Sequence, residues 1–226
     1  MKKVLYSLSV VSLLALSGCV DESPWRITGI SVDPDCSGML ATVGITSGTL
    51  DISAASRQQA NYILQLQDVN TIAVTPNQNS NMLPLQDKSA GTISVKELIV
   101  SYTSTPRIDM KKEAIPVAAV VAPNGATGGF IEANVLTQNA ADALLNAIGS
   151  GNTAELVVTM QFHGVEQSGG DIYSTVVTFP IHVFNSGATC PAPDQFGPTG
   201  ACNGAGGQDD SRVCCASDST CVKPMM

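Results

Sequence analysis

Between residues 156 and 181 apolar and polar side chains alternate with a period of two on both sides of a glycine-containing turn, and few folds accommodate that pattern. Leu156, Val158, Met160 and Phe162 alternate with Val157, Thr159, Gln161 and His163. After Gln167-Ser168-Gly169-Gly170 the chain returns through Tyr173, Val177, Phe179 and Ile181. Successive side chains of a strand point to opposite faces, so each run offers one apolar face. Setting Glu166 opposite Asp171 brings Leu156 against Ile181, Val158 against Phe179 and Met160 against Val177. The same register puts His163 opposite Ser174 and His182 opposite Glu155. Slipping by one residue would turn the apolar face outward, so the register is well specified. Pro180 has no amide donor and is expected to point outward at an edge or a bulge.

The rest of the chain repeats this theme in shorter pieces. Strands are expected over residues 25–33, 39–45, 62–74, 93–103, 115–122 and 130–135. Asp33-Pro34, Gly48, Pro76 with the asparagine-rich stretch 77–81, and Pro123-Asn124-Gly125 mark breaks between them. Within 93–103, Ile93 and Val95 share one parity while Leu98, Val100 and Tyr102 share the other. An extra residue near Lys96-Glu97 is therefore required. One segment departs from the β pattern: Ala141, Leu144, Leu145 and Ile148 recur at helical spacing. Thr137 or Asn139 can cap its start and Gly149 can end it, giving one short helix at about 137–148. About eight short strands and a single helix predict an all-β antiparallel sandwich. The hairpin from 156 to 185 resembles the closing F–G pair of an immunoglobulin-like domain, although the usual Cys…Trp…Cys core is absent.

The N-terminus carries a different signal. Lys2 and Lys3 precede an apolar, serine-dotted run over 4–16, which ends in Leu16-Ser17-Gly18-Cys19. A run this short does not cross a ~30 Å hydrocarbon core as a permanent helix, and it has the layout of an export signal. The four residues resemble the lipobox of bacterial lipoproteins. That resemblance implies cleavage before Cys19 and acylation of its thiol and its new amine. Each buried CH₂ contributes ~0.8 kcal/mol, so two or three chains hold a domain at a membrane where one binds marginally. In bacteria of the enteric type, aspartate directly after the cysteine resembles an inner-membrane retention signal. Here Val20 stands there and Asp21 comes one later, which implies the outer membrane. The expected organisation is a signal peptide over 1–18, lipidated Cys19 with a polar tether over 19–25, a sandwich over 26–187 and a cysteine-rich tail over 188–226.

Removal of 1–18 leaves 208 of the 226 residues and takes away two lysines, so nine basic residues face 19 acidic ones. An acidic chain with no basic cluster is a poor partner for nucleic acid. Six cysteines remain beside Cys19: Cys36, Cys190, Cys202, Cys214, Cys215 and Cys221. An even number in an oxidising compartment suggests three disulfides among 15 connectivities. Cys36 follows the first strand and Cys190 the last, so these two are expected to join and the other four to pair within the tail. Neighbouring Cys214 and Cys215 should each reach elsewhere. The tail is too short and too poor in large apolar side chains to build its own core, and is expected to fold back onto the sandwich. The order of elements, the phrase over 175–183 and this tail resemble uncharacterised lipoproteins of myxobacterial type, from which no activity follows.

Chemistry-bearing motifs are sparse. No G-x-S-x-G elbow occurs, and no C-x-x-C pair or other metal-ligand cluster is present. Gly125-Ala126-Thr127-Gly128-Gly129 lacks the Lys-Ser/Thr of a phosphate loop and reads as a turn. Asp209-Asp210 lacks regular Ca²⁺-loop spacing, and Asp33 and Asp35 are turn residues. His163 and His182 fall far apart on the hairpin and share no ligand. No catalytic residue, metal or cofactor is assigned. Two classes remain: a noncatalytic, lipid-anchored envelope module that binds a protein or glycan, and a hydrolase or carbohydrate-active module whose residues converge only in three dimensions. Exposed strand edges and the loop over 75–90 are the expected places for a partner. A deep polar pocket holding a histidine with a carboxylate, or two carboxylates, would favour the second class.

Overall fold

A computed structural model describes residues 23–31, 44–53, 61–72, 91–123, 129–187, 196–197, 208–209 and 214–215. The described strands are β1 (Trp25–Ser31), β2 (Gly48–Asp51), β3 (Ile63–Asn70), β4 (Ile93–Thr105), β5 (Glu113–Val121), β6 (Gly129–Asn134), β7 (Thr153–Glu166), β8 (Asp171–Tyr173), β9 (Val177–Phe184), β10 (Phe196–Gly197) and β11 (Cys214–Cys215). Helix α1 (Gln138–Ala147) lies between β6 and β7. The fold is all-β and sandwich-like. One sheet runs β1-β3-β6, and the other runs β2-β9-β7-β4-β5 with β8 also paired to β7. Between them lies one core, in which Trp25 of β1 stacks on Phe162 of β7 with centroids 5.8 Å apart. Tyr62, just before β3, meets Phe179 of β9 at 5.9 Å.

The long hairpin forms as its alternation demands. Leu156, Val158 and Met160 face Ile181, Phe179 and Val177, and Glu155 faces His182. Nearer the turn the expected register fails by one residue. His163 faces Tyr173 rather than Ser174, and Val165 rather than Glu166 faces Asp171. Ser174 is the reason. It leaves the strand, turns inward to 2 % exposure, and accepts the Phe162 amide on its hydroxyl at 2.9 Å while its own amide donates to the Phe162 carbonyl at 2.9 Å. A short hydroxyl side chain thus replaces a backbone acceptor and absorbs the extra residue. Pro180 is exposed and stands just before the point where β2 begins to pair with β9, at Ile181.

The bulge in β4 is where the parity change requires it: pairing resumes at Glu97 after Val95, leaving exposed Lys96 as the extra residue. Gly164, opposite Val95, tolerates the close β4 backbone; a Cβ there would lie 2.8 Å from the Ser94 carbonyl oxygen. Thr137 caps α1, accepting the Ala140 amide at 3.2 Å. Leu144 and Ile148 are buried and Leu145 half-buried, so the helix covers the core through the expected residues.

One expectation from the first third of the chain is corrected. Gly48 is not a break but the first residue of β2, which pairs parallel to β9. Nothing in Gly-Thr-Leu-Asp alternates; the strand exists because β9 offers it an edge. Glycine is needed there because the Tyr62 hydroxyl would sit 1.6 Å from a Cβ. Of the expected strand over 39–45, only Gly44 and Ile45 are described, and neither lies in a strand. The Ile45 amide donates to the Ile30 carbonyl at 2.9 Å. β1 skips a residue between Ile27 and Gly29 against β3. The loop over 75–90 and Cys19, Cys36, Cys190, Cys202 and Cys221 lie outside the described residues. Cys214 and Cys215 pair through their backbone with Phe196–Gly197.

Candidate functional site

The solvent face of the larger sheet carries its polar side chains in rows set by register. One row reads Thr49 (β2), His182 (β9), Glu155 (β7) and Thr105 (β4). His182 Nδ1 lies 2.6 Å from Glu155 Oε1. Thr49, His182 and Glu155, with Ser47, Gly48, Pro180 and Asp209, line an open cleft of about 370 Å³. Hydroxyl, imidazole and carboxylate in sequence is the composition of a nucleophile–base–orienter set. The side chains are nevertheless solvated, with His182 45 % and Glu155 62 % exposed. That falls short of the deep, water-poor pocket in which such a set is effective.

Asp209 enters this cleft from the tail. Its backbone amide donates to the Thr49 carbonyl at 2.8 Å, and its Oδ1 accepts the Thr49 amide at 2.8 Å. The Tyr62 hydroxyl lies 2.7 and 2.8 Å from its two carboxylate oxygens. Burial first, and the Asp209 charge second, hold the Tyr62 phenol far above its ordinary value, so it stays a donor. Next door Gln208 uses its amide as a substitute peptide: Oε1 accepts the Ile63 amide at 2.9 Å and Nε2 donates to the Ile63 carbonyl at 2.8 Å. Ile63 lies beyond the end of the β1 pairing, where β3 would otherwise present a free edge. Gln208 and Asp209 therefore attach the tail to both sheets at once. Asp209 is among the acidic residues weighed for Ca²⁺ in the sequence; here its carboxylate is taken up by protein donors. The sequence signals neither Gln208 nor Tyr62 as its partner.

A second polar cluster surrounds His163. Its Nδ1 lies 3.0 Å from Glu97 Oε1 and its Nε2 3.3 Å from Asp171 Oδ1, and its ring stacks on Tyr173 at 4.7 Å. The two histidine rows are eight residues apart along β7, about 27 Å, so the imidazoles do not converge. A third cluster is closed on itself. Buried Asp51 accepts the amides of Ser53 and Ser186 at 3.0 and 3.1 Å and the Ser186 hydroxyl at 2.5 Å, fixing the end of β2 to the end of β9. Among the described residues, no group of three or more His, Cys, Asp or Glu could hold a metal ion, and no helix is long and apolar enough to cross a membrane.

Edge strand β5 differs in character. Ala114, Pro116, Ala118 and Val120 all point outward and are exposed, Val120 to 72 %. β5 pairs with β4 on one side and has no second strand partner among the described residues. Compared with known proteins, the chain matches no family model, no curated protein and no solved structure.

Proposed function

We propose that the protein is a lipid-anchored lipoprotein of the cell envelope, held at the outer membrane through Cys19, whose sandwich is a noncatalytic binding or structural module. The observation that carries this reading is Leu16-Ser17-Gly18-Cys19 at the end of a charged, apolar export signal. The seating of the tether agrees with it. Ser23 and Pro24, a few residues after Cys19, are already bound to the domain: the Ser23 hydroxyl to the Tyr173 carbonyl, and the Pro24 carbonyl to the Thr71 amide at 2.8 Å. The domain thus begins directly after its anchor.

An immunoglobulin-like assignment of the sandwich is supported by strand order. β9-β7-β4-β5 has the sequence G-F-C-C′ and β1-β3-β6 the sequence A-B-E, with α1 falling in the E–F connection. The conserved-type tryptophan of strand C is missing; Trp25 on β1 fills the core against Phe162 instead. A Cys36–Cys190 disulfide, with the remaining four cysteines paired in the tail, completes the reading. The partner is an envelope protein or glycan that meets exposed strand edges, β5 foremost, since a long apolar edge is a template for pairing.

Mass spectrometry of the mature N-terminus tests the anchor: acyl mass on Cys19 is expected, and Cys19→Ala should release the protein from membranes. A water-soluble mature chain beginning elsewhere ends the proposal. A second reading, an envelope hydrolase, draws on the Glu155–His182 pair beside Ser47 and Thr49. Ester, peptide or glycoside turnover by the purified protein that His182→Ala abolishes would establish it in place of the first.

A further inference from the structure

We propose that His163 is an acid-tightened clamp that holds β8, and with it the seat of the N-terminal tether, against the larger sheet. The cluster has a feature that neutral histidine does not satisfy: each ring nitrogen faces a different carboxylate, Glu97 on β4 and Asp171 on β8. An imidazolium donates from both nitrogens. A neutral ring donates from one and turns a lone pair toward the other carboxylate, whichever tautomer it adopts. The Tyr173 ring stacked on the imidazole adds a third contact that strengthens with positive charge. All three favour the same protonation state.

Among the described residues, other ionisable groups near the ring do not change that sense. β4 contributes Glu97 and, at the bulge, exposed Lys96; β8 contributes Asp171 and Tyr173; β7 itself ends at Glu166. β5 places Pro116 opposite Glu97 and adds no charge at that level. β9 starts further along, at Val177 opposite Met160.

The element being held is weak by itself. β8 is three residues long, pairs among the described residues with β7 alone, and follows a turn containing Gly169 and Gly170. Such segments open locally at low cost. Yet β8 and the residues after it carry the entry of the chain into the fold. The Tyr173 carbonyl accepts the Ser23 hydroxyl, and that hydroxyl in turn accepts the Trp25 amide at 3.1 Å. Thr175 donates its amide to the Trp25 carbonyl at 2.9 Å and accepts the Ile27 amide on its hydroxyl at 3.0 Å. Loosening β8 frees the Tyr173 carbonyl and with it the Ser23 hydroxyl, while residues 25–27 stay paired to β3. With the imidazole protonated, Ser23 is held to the domain through β8; with the imidazole neutral, that hold weakens.

Amide hydrogen exchange of the full-length protein in detergent, corrected for intrinsic rates, tests the clamp. Protection of Ile172, Tyr173, Ser174 and Thr175 should be about two- to fivefold higher at pH 5 than at pH 8, the range of partly exposed ion pairs. The difference should vanish in His163→Gln and persist in His182→Gln. Asp171→Asn, at a position 72 % exposed, keeps the fold and should cut the difference while leaving the Glu97 contact. Equal protection at the two pH values overturns the clamp, as does a pH dependence that survives His163→Gln or is undiminished in Asp171→Asn. A dependence shared equally by the central amides of β7 would mark global stability and overturn it too.

Discussion

Burial works against the ionisation of a carboxylate, and Asp68 on β3 is 2 % exposed beside Gly129, where even a Cβ would lie 2.5 Å from its Oδ1. Burial raises its pKa above the ordinary value, and the backbone hydrogen bond opposes this only in part. The folded chain therefore holds this proton more tightly than the unfolded chain. Its contribution to stability falls as pH rises from the ordinary value near 4 through the folded one, and above that it is a fixed cost. Asp68→Asn should raise the melting temperature at pH 7 by about 2–4 °C, roughly 1 kcal/mol. At pH 3, where both side chains are neutral, it should have little effect. Calorimetry at the two pH values checks this; an equal shift at both would point to packing instead. Parity already places Asp68 with Leu64 and Leu66 on the inner face. What the sequence lacks is depth, because burial at a sheet's end depends on the neighbouring strand.

Among the elements, α1 was the most legible, since a 3.6-residue spacing and a threonine cap suffice to define it. Thr137 does more than cap. Its hydroxyl donates to Glu113 at 2.8 Å, and its amide donates to the Tyr102 hydroxyl at 3.1 Å, so helix start, β5 and β4 meet at one residue. Thr137→Ala removes the cap and leaves Glu113 one donor short, with an expected loss of about 1–2 kcal/mol. Urea denaturation measures it, and a change below a few tenths would show the cap to be idle. The β4 bulge was legible through a change of parity, and the long hairpin through its alternation. β2 and the end of β8 were not. A four-residue parallel strand has no period to display, and the β8 slip is decided by the Ser174 hydroxyl, which composition does not distinguish from any other turn serine.

For the molecule as a whole, the tail is attached through Tyr62, Thr49 and Ile63, the last two of which lie at the starts of β2 and β3. Tyr62→Phe removes the hydroxyl shared by both Asp209 oxygens, a loss of about 1.5–3 kcal/mol for a charged partner. Limited proteolysis should then cut near 208 several times faster while the sandwich persists as a resistant fragment; unchanged cleavage would show that other contacts hold the tail. Parallel β2 has a further consequence, in time rather than space. Its partner β9 is separated from it by well over a hundred residues. Closing so large a ring costs chain entropy before any contact returns it, so this pairing forms late. A chain delivered N-terminus first carries Leu50 without its ladder partner Val183 until the C-terminal hairpin arrives. One of its earliest apolar segments is thus among the last to be sheltered, and arrival of the C-terminal hairpin sets the moment at which the fold closes.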